Sequence, residues 1–273
     1  MRPLSFRNRR RISLAVTALL VAAVWLVAWI QDGRLAHASV FTGATVLGSV
    51  VLLALLGVRR RLPVLRLGSV STWTQIHIYT GLFAAGVYVI HVPTLIAGGV
   101  FECGLSIVFL LVSISGLYGV YASRTIPRRL TAVGEQYRFD RVNWHRGQIA
   151  QLAEDLLEEL KEQTGVHVLG RFYHSFLQPF FHSRPNLAYV LAPTSVRRRR
   201  LLNGLTELDR YLEADSRSTA GRLAALVRRR DDLDYQFALQ LRLRMWLVVH
   251  CCFSVILIIG AALHAITALR FLA

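Results

Sequence analysis

Four histidines are the residues of this chain whose type and spacing could do chemistry. His77 and His91 lie fourteen residues apart, and so do His250 and His264. Fourteen residues of α-helix make almost four full turns and rise about 21 Å, so each pair shares one helix face. Imidazole binds metal ions and transfers protons. The spacing therefore predicts two chemical sites at two heights.

Both pairs lie within apolar stretches that are long enough to cross a bilayer, residues 73–93 and residues 245–271. Trp73 and Trp246 each precede the first histidine of a pair by four residues. Indole side chains favour the membrane interface, so the two tryptophans mark matching depths. We therefore expect the two helices to present their histidines at the same two levels.

The whole chain has the composition of a membrane protein with a water-exposed portion, since 54% of its 273 residues are hydrophobic. A basic start followed by an apolar run is shared with signal peptides. We favour an uncleaved anchor, because the run of 19 residues exceeds the usual length of about 7–15. We predict an all-α membrane protein with five transmembrane helices, at residues 12–30, 40–58, 73–93, 104–122 and 245–271.

Acidic and basic residues alternate between the fourth and the last of these spans. We expect a helical domain there, and its four histidines lack any accompanying carboxylate or cysteine pattern, so we assign them surface or structural positions. Helices are predicted at residues 154–163, 201–212 and 218–244, and the last can continue into the final span. The predicted domains are residues 1–122 (transmembrane), 123–244 (helical insert) and 245–273 (transmembrane).

The distribution of charge predicts the orientation. Thirty of the 32 basic residues lie in residues 1–12, 59–73 and 123–244. Basic segments remain on the cytoplasmic side, so we place the N-terminus and the insert in the cytoplasm and the C-terminus in the periplasm of a bacterial inner membrane. Because orientation accounts for the net charge of +16, we do not expect nucleic acid as a partner. Membrane lipid is the expected surrounding of the spans.

Histidine pairs on facing helices favour haem over other metal chemistry. We expect His77 opposite His250 at an inner level and His91 opposite His264 at an outer level. Zinc is normally held by four ligands, whereas a haem iron needs two axial ligands above and below its plane. Proton relays within membranes usually include Asp or Glu, and the predicted spans contain neither.

Glycines are the candidate residues for the edges of such flat cofactors. Gly43 and Gly57 lie fourteen apart in the second span, and Gly81, Gly86 and Gly260 lie near the histidines in sequence. A glycine lets a bulky ring approach the backbone. The alternative is ordinary close packing of membrane helices on small residues.

The two His-x13-His helices resemble those of cytochrome b from bc-type complexes and of the wider group of di-haem b-type membrane cytochromes. The resemblance covers roughly residues 40–122 and 243–270. It implies a four-helix haem-binding bundle with two haem b groups, each held by one histidine from each helix, and glycines fourteen apart on a neighbouring helix. The chain lacks the PEWY sequence of that family, and the insert is foreign to it, so quinone sites are not carried over.

Iron with imidazole on both axial positions has no open site, which favours electron transfer over oxygen chemistry. We expect an electron-transfer subunit of a multi-subunit oxidoreductase complex, connecting quinone or a cytoplasmic donor with a periplasmic or membrane redox partner. Two other classes remain: a transporter or channel that uses the histidines for metal ions or protons, and a membrane-anchored sensor or assembly scaffold.

Overall fold

The computed structural model describes residues 6–34, 37–61, 69–133, 137–161 and 167–270. These residues form helices and connecting turns, and no strand occurs among them. The helices are α1 (Phe6–Gly33), α2 (Ala38–Arg61), α3 (Val70–His91), α4 (Val100–Thr131), α5 (Val142–Lys161), α6 (His167–Phe172), α7 (Gln178–His182), α8 (Leu187–Leu191), α9 (Val196–Leu208) and α10 (Ala214–Arg270). Short 3₁₀ turns cover Phe139–Arg141 and Asp209–Tyr211, and a π-helical turn covers Tyr173–Leu177.

The chain divides into two compact units. Unit one comprises Met1–Tyr121 and Trp246–Ala273, and unit two comprises Ala122–Met245. These limits lie within one residue of the predicted domain boundaries. Helix α10 is continuous over 57 residues, so the predicted helix at 218–244 does continue into the last apolar stretch, and it begins four residues earlier than expected.

Four of the described helices contain segments long and apolar enough to cross a membrane, namely Arg7–Gly33, Ala38–Leu55, Val100–Thr131 and Ala214–Arg270. This pattern is consistent with a multi-pass membrane protein. Five spans were predicted, and α3 is absent from the four. Its 22 residues are long enough, but two histidines, Gln75 and several threonines lower its mean hydropathy.

Helix α3 is covered by its neighbours in unit one, since it packs against both α1 and α2. Ala84, Val87 and Tyr88 are buried along it. The Tyr88 ring stacks on Phe109 of α4 with ring centres 4.1 Å apart. The buried residues lie in the second half of α3, whereas Thr72 and Gln75 near its start are exposed.

Both ends of α3 differ from the predicted span. The helix starts at Val70, where the Ser69 side chain accepts a hydrogen bond from the Thr72 backbone N–H at 3.1 Å. It ends at His91, two residues before the predicted end at residue 93. Pro93 accounts for the early end, because proline commonly follows closely on a helix that it cannot continue.

Unit two has an ordinary apolar core, to which Leu169, Leu177, Leu223 and Leu233 contribute fully buried side chains. Helix α5 begins twelve residues before the predicted start at 154. Its earlier turns belong to the core as well, because Val142, Ile149 and Ala153 are buried at spacings that share one helix face. Helix α9 likewise begins five residues before its predicted start at 201.

Candidate functional site

The structure brings His77 of α3 and His250 of α10 together. Their ring centres lie 6.5 Å apart, with the planes inclined at 69°. Both side chains are half-buried. Two imidazole nitrogens bound about 2 Å from one metal ion would place the ring centres about 6 Å apart. The predicted inner pair therefore has the separation that two ligands of a single metal ion require.

The hydroxyl of Ser115 on α4 contacts the imidazole of His250. It lies 2.6 Å from His250 Nδ1 and 2.9 Å from the Val112 carbonyl oxygen. When its one hydrogen goes to that carbonyl, it accepts a hydrogen bond from His250 Nδ1–H. The lone pair of Nε2 is left for a metal ion, and this is the arrangement that supports histidine ligands in metal sites.

Trp246 holds the same histidine from the other side. Its indole N–H donates to the Ser115 carbonyl at 2.8 Å, and its ring stacks on His250 with centres 5.6 Å apart. A Cβ on Gly119 would overlap the indole ring, so glycine is required there for the ring to lie against α4. Thus the tryptophan expected to mark depth also positions a candidate ligand.

The outer level contains His91 of α3 and His264 of α10, which lie within electrostatic range of each other. Thr42 Oγ1 on α2 lies 3.0 Å from His91 Nδ1. The same hydroxyl lies 3.0 Å from the Ala38 carbonyl oxygen and 3.1 Å from that of Ser39. When its one hydrogen goes to these carbonyls, it accepts from His91 Nδ1–H, and Nε2 of His91 is then the nitrogen that can bind a metal ion.

Glu102 lies at the outer level, where sequence reasoning placed no functional carboxylate. Its Oε1 is 3.7 Å from Nδ1 of His264. The ring of Phe101 faces the same histidine, with centres 6.4 Å apart. Three of the four candidate ligands therefore meet a polar side chain of α2 or α4 at Nδ1.

Two glycines approach the histidine rings closely. A Cβ on Gly43 would lie 3.0 Å from His91 Cε1, and one on Gly116 would lie 3.7 Å from His250 Cε1. Gly43 was predicted, whereas Gly116 was not. A side chain at Gly43 would therefore press on the imidazole of His91, whereas one at Gly116 would make only ordinary contact with His250.

The remaining predicted glycines have other neighbours. A Cβ on Gly86 would meet Val21 of α1, one on Gly260 would meet Leu105 of α4, and one on Gly81 would reach only Leu53 of α2. The structure thus gives these three positions the helix-packing contacts of the alternative interpretation, and it does not bring them to the histidine rings. Gly57 belongs to α2 but lies outside the residues whose surroundings the structure describes.

An apolar layer separates the two levels. Ala84 of α3 and Leu257 of α10 each lie seven residues from both histidines of their helix, and Val50 lies seven residues after Gly43. These three residues form one buried cluster with Tyr88 and Phe109. Helices α2, α3, α4 and α10 all contribute to this cluster, and the same four helices supply every contact described at the histidines.

The histidines of unit two have local contacts. His182 Nε2 lies 3.0 Å from Glu154 Oε1, and His174 Nδ1 lies 3.0 Å from Gln178 Oε1. His182 therefore does have a carboxylate partner, contrary to the expectation from the sequence. The two residues meet because α7 packs against α5, although these helices are distant along the chain. In the part of the chain that the structure describes, no three His, Cys, Asp or Glu side chains form a metal-binding group.

Comparisons with known proteins leave the class of protein open. No protein-family model matches this chain, and neither a curated protein nor a solved structure matches it. The function therefore has to be argued from the residues themselves.

Proposed function

We propose that this chain is a membrane electron-transfer protein that holds two haem b groups, one at each histidine pair. The observation that carries the proposal is the inner pair, His77 and His250, whose ring centres are 6.5 Å apart. The contact of Ser115 with His250 Nδ1 supports it, because a hydrogen on Nδ1 leaves the lone pair of Nε2 to bind iron. A bound haem would supply one-electron oxidation and reduction.

The number of ligands favours haem over an ion held by protein alone. Each level supplies two histidines, and the described residues form no group of three metal-binding side chains. A structural zinc site normally has four protein ligands. Haem brings four nitrogens of its own, so two imidazoles complete its coordination. Gly43 supplies the close backbone approach that a ring in this space needs.

The four helices that contact the histidines support a haem-binding bundle. α2 contributes Thr42, α4 contributes Ser115, and α3 and α10 contribute the ligands. Helix bundles commonly build cofactor sites from side chains on facing helices. In this proposal α3 is the fifth membrane helix, and α1 and α2 pack against it.

Electron transfer is the task expected of a haem iron whose coordination positions are all filled. With imidazoles on both faces, neither iron would have an open position for oxygen, and electron transfer is the task that remains. We place the protein in a bacterial inner membrane, with the N-terminus and unit two in the cytoplasm and the C-terminus in the periplasm. Its partners would be quinone or a cytoplasmic donor and a periplasmic or membrane redox protein, within a multi-subunit complex.

A second candidate function has one specific observation in its favour. Glu102 lies 3.7 Å from His264, and carboxylate–histidine pairs also form proton relays in transporters. A transporter of protons or metal ions would use the same four histidines without haem. The two candidates predict different optical spectra.

The test is the visible spectrum and haem content of the purified full chain. Electron transfer predicts two haems per chain and a Soret band that shifts when dithionite is added. His91→Ala should remove about half of the haem, and His77→Ala the other half. His174→Ala is the control, since that histidine contacts Gln178 in unit two. A chain without a dithionite-sensitive Soret band would rule out the proposal, and full haem content in His91→Ala would rule out the pairing.

A further inference from the structure

We propose that the negative charge of Glu102 beside His264 lowers the reduction potential of the outer haem relative to the inner one. The inference rests on the proposed function. It concerns a residue that the sequence placed in a short loop and the structure places in the first turn of α4.

The contact of Glu102 with His264 involves a charged side chain, unlike the contacts described at the inner level. Glu102 Oε1 lies 3.7 Å from Nδ1 of His264, and this nitrogen is buried without a hydrogen-bond partner. His250 meets a neutral hydroxyl at the same atom. Only the outer level, among the contacts described, therefore has a carboxylate beside a candidate ligand.

A carboxylate at that position acts on the iron through its charge. At 3.7 Å from Nδ1 it is too far for a hydrogen bond, but its negative charge favours the oxidised, more positive iron over the reduced iron, and partial burial limits screening by water. This effect makes the outer haem harder to reduce.

Glu102 has a competing structural role, which the test must separate. It is the third residue of α4, and its carboxylate covers Gly99 just before the helix, where a Cβ would overlap it. Glutamate at this position stabilises a helix start by reaching back to the preceding backbone. Glutamine also serves there, so Glu102→Gln preserves the cap and removes only the charge.

The experiment is a potentiometric titration of the haem-loaded full chain, monitored in the visible region. Glu102→Gln should favour reduction of one of the two haems by roughly ten-fold, which is about 59 mV for a one-electron couple, and leave the other unchanged. Glu102→Asp should restore most of the lower potential. Asp32→Asn, a charge change near the end of α1, should move neither couple.

Glu102→Ala measures the structural role, because it removes both charge and cap. A lower melting temperature in Glu102→Ala, with wild-type stability in Glu102→Gln, would show that Glu102 stabilises the helix start and that its charge is not needed for this. Two bound haems with unchanged potentials in Glu102→Gln would overturn the inference and leave the proposed function standing. An equal shift of both couples would also overturn it, as would loss of the outer haem in all three variants. A wild-type chain without haem would overturn both.

Discussion

The two units of this chain bury polar side chains in opposite ways. Unit two buries charge: Arg230 is only 1% exposed and forms an ion pair with Asp234, which also accepts hydrogen bonds from Arg146. The described part of unit one buries neutral groups, such as Thr42, whose hydroxyl bonds to backbone carbonyls and a histidine. Long stretches of unit one also expose apolar side chains, as at Leu19 (71% exposed).

This difference is consistent with a membrane around the long apolar helices of unit one. A chain in water gains by burying apolar surface and can keep a buried charge if it is paired. A chain in lipid presents apolar side chains outward and places polar groups only where other protein groups satisfy them. The buried polar groups described in unit one are hydroxyls: Thr42 contacts a histidine, Ser49 donates to the Thr45 carbonyl and Ser106 accepts from the Ala97 backbone N–H.

The largest effect should come from breaking the buried ion pair of unit two. Asp234→Ala leaves Arg230 and Arg146 without their carboxylate, and we expect a loss of about 3–5 kcal/mol in the free energy of unfolding. Hydrogen exchange of the amides of unit two would measure it. Asp209→Ala is the control, because the Arg217–Asp209 pair is half exposed and should contribute less than about 1 kcal/mol. Equal losses would contradict the contrast between the units.

A smaller effect is expected from filling the space between α4 and α10. Gly119→Ala would push a methyl group into Trp246, so the indole must move at a cost of about 1–3 kcal/mol. Tryptophan fluorescence and thermal unfolding in detergent would detect both changes. Gly104→Ala in the same helix has open space at Cβ and should be neutral or slightly stabilising. Similar behaviour of the two variants would show that the Trp246 contact has no role.

The hydroxyl at Ser115 should influence haem binding more than folding. Ser115→Ala removes the acceptor for His250 Nδ1–H, and loss of such a partner typically weakens metal binding by about 10–100-fold. Haem titration of the apoprotein would measure the change, which should affect one haem of the two. Ser113→Ala provides the control, since that hydroxyl bonds only to the Phe109 carbonyl among the contacts described. Equal haem affinity in the two variants would exclude the tautomer argument.

The smallest effect at neutral pH should come from Tyr173 in the core of unit two. Its hydroxyl is buried without a hydrogen-bond partner, and burial, aided by the carboxylate of Glu154, raises the pKa of Tyr173 to about 12. The stability linked to the neutral phenol is complete below pH 10 and falls as pH rises towards 12, by up to about 1.4 kcal/mol per pH unit. Tyr173→Phe should therefore change stability by less than about 1 kcal/mol at pH 7 and reduce the alkaline loss.

Alkaline unfolding of the two proteins, followed by circular dichroism, would test this expectation. Tyr211→Phe is the control, because Tyr211 is 76% exposed and should leave the pH dependence unchanged. A Tyr173→Phe profile that coincides with that of the wild type above pH 10 would contradict the role of Tyr173.

The sequence predicted the features that depend on periodicity along one helix. The contact between His77 and His250 was anticipated because helical spacing and two interfacial tryptophans determine depth. The continuity of α10 was also anticipated, since no proline or glycine pair interrupts it near Arg244. The start of α5 was missed because its mixed residues show a buried face only when the rest of unit two is folded around them.

Side-chain partners across helices could not be predicted. Thr42, Ser115 and Glu102 contact histidines through the rotation and relative height of separate helices, which no spacing within one helix reveals. A weak signal was present nonetheless. Glu102, Phe109 and Gly116 repeat every seven residues, the same interval that places Val50, Ala84 and Leu257 midway between the levels.

The apolar layer midway between the histidine levels has a consequence for ion leakage. Val50, Ala84 and Leu257 supply only hydrocarbon there, so a proton or metal ion passing between the levels would have to shed its hydration shell. An electron has no such shell to lose. In the proposed electron-transfer function, a layer of this kind would let the bilayer keep its voltage while reducing equivalents pass between the two levels.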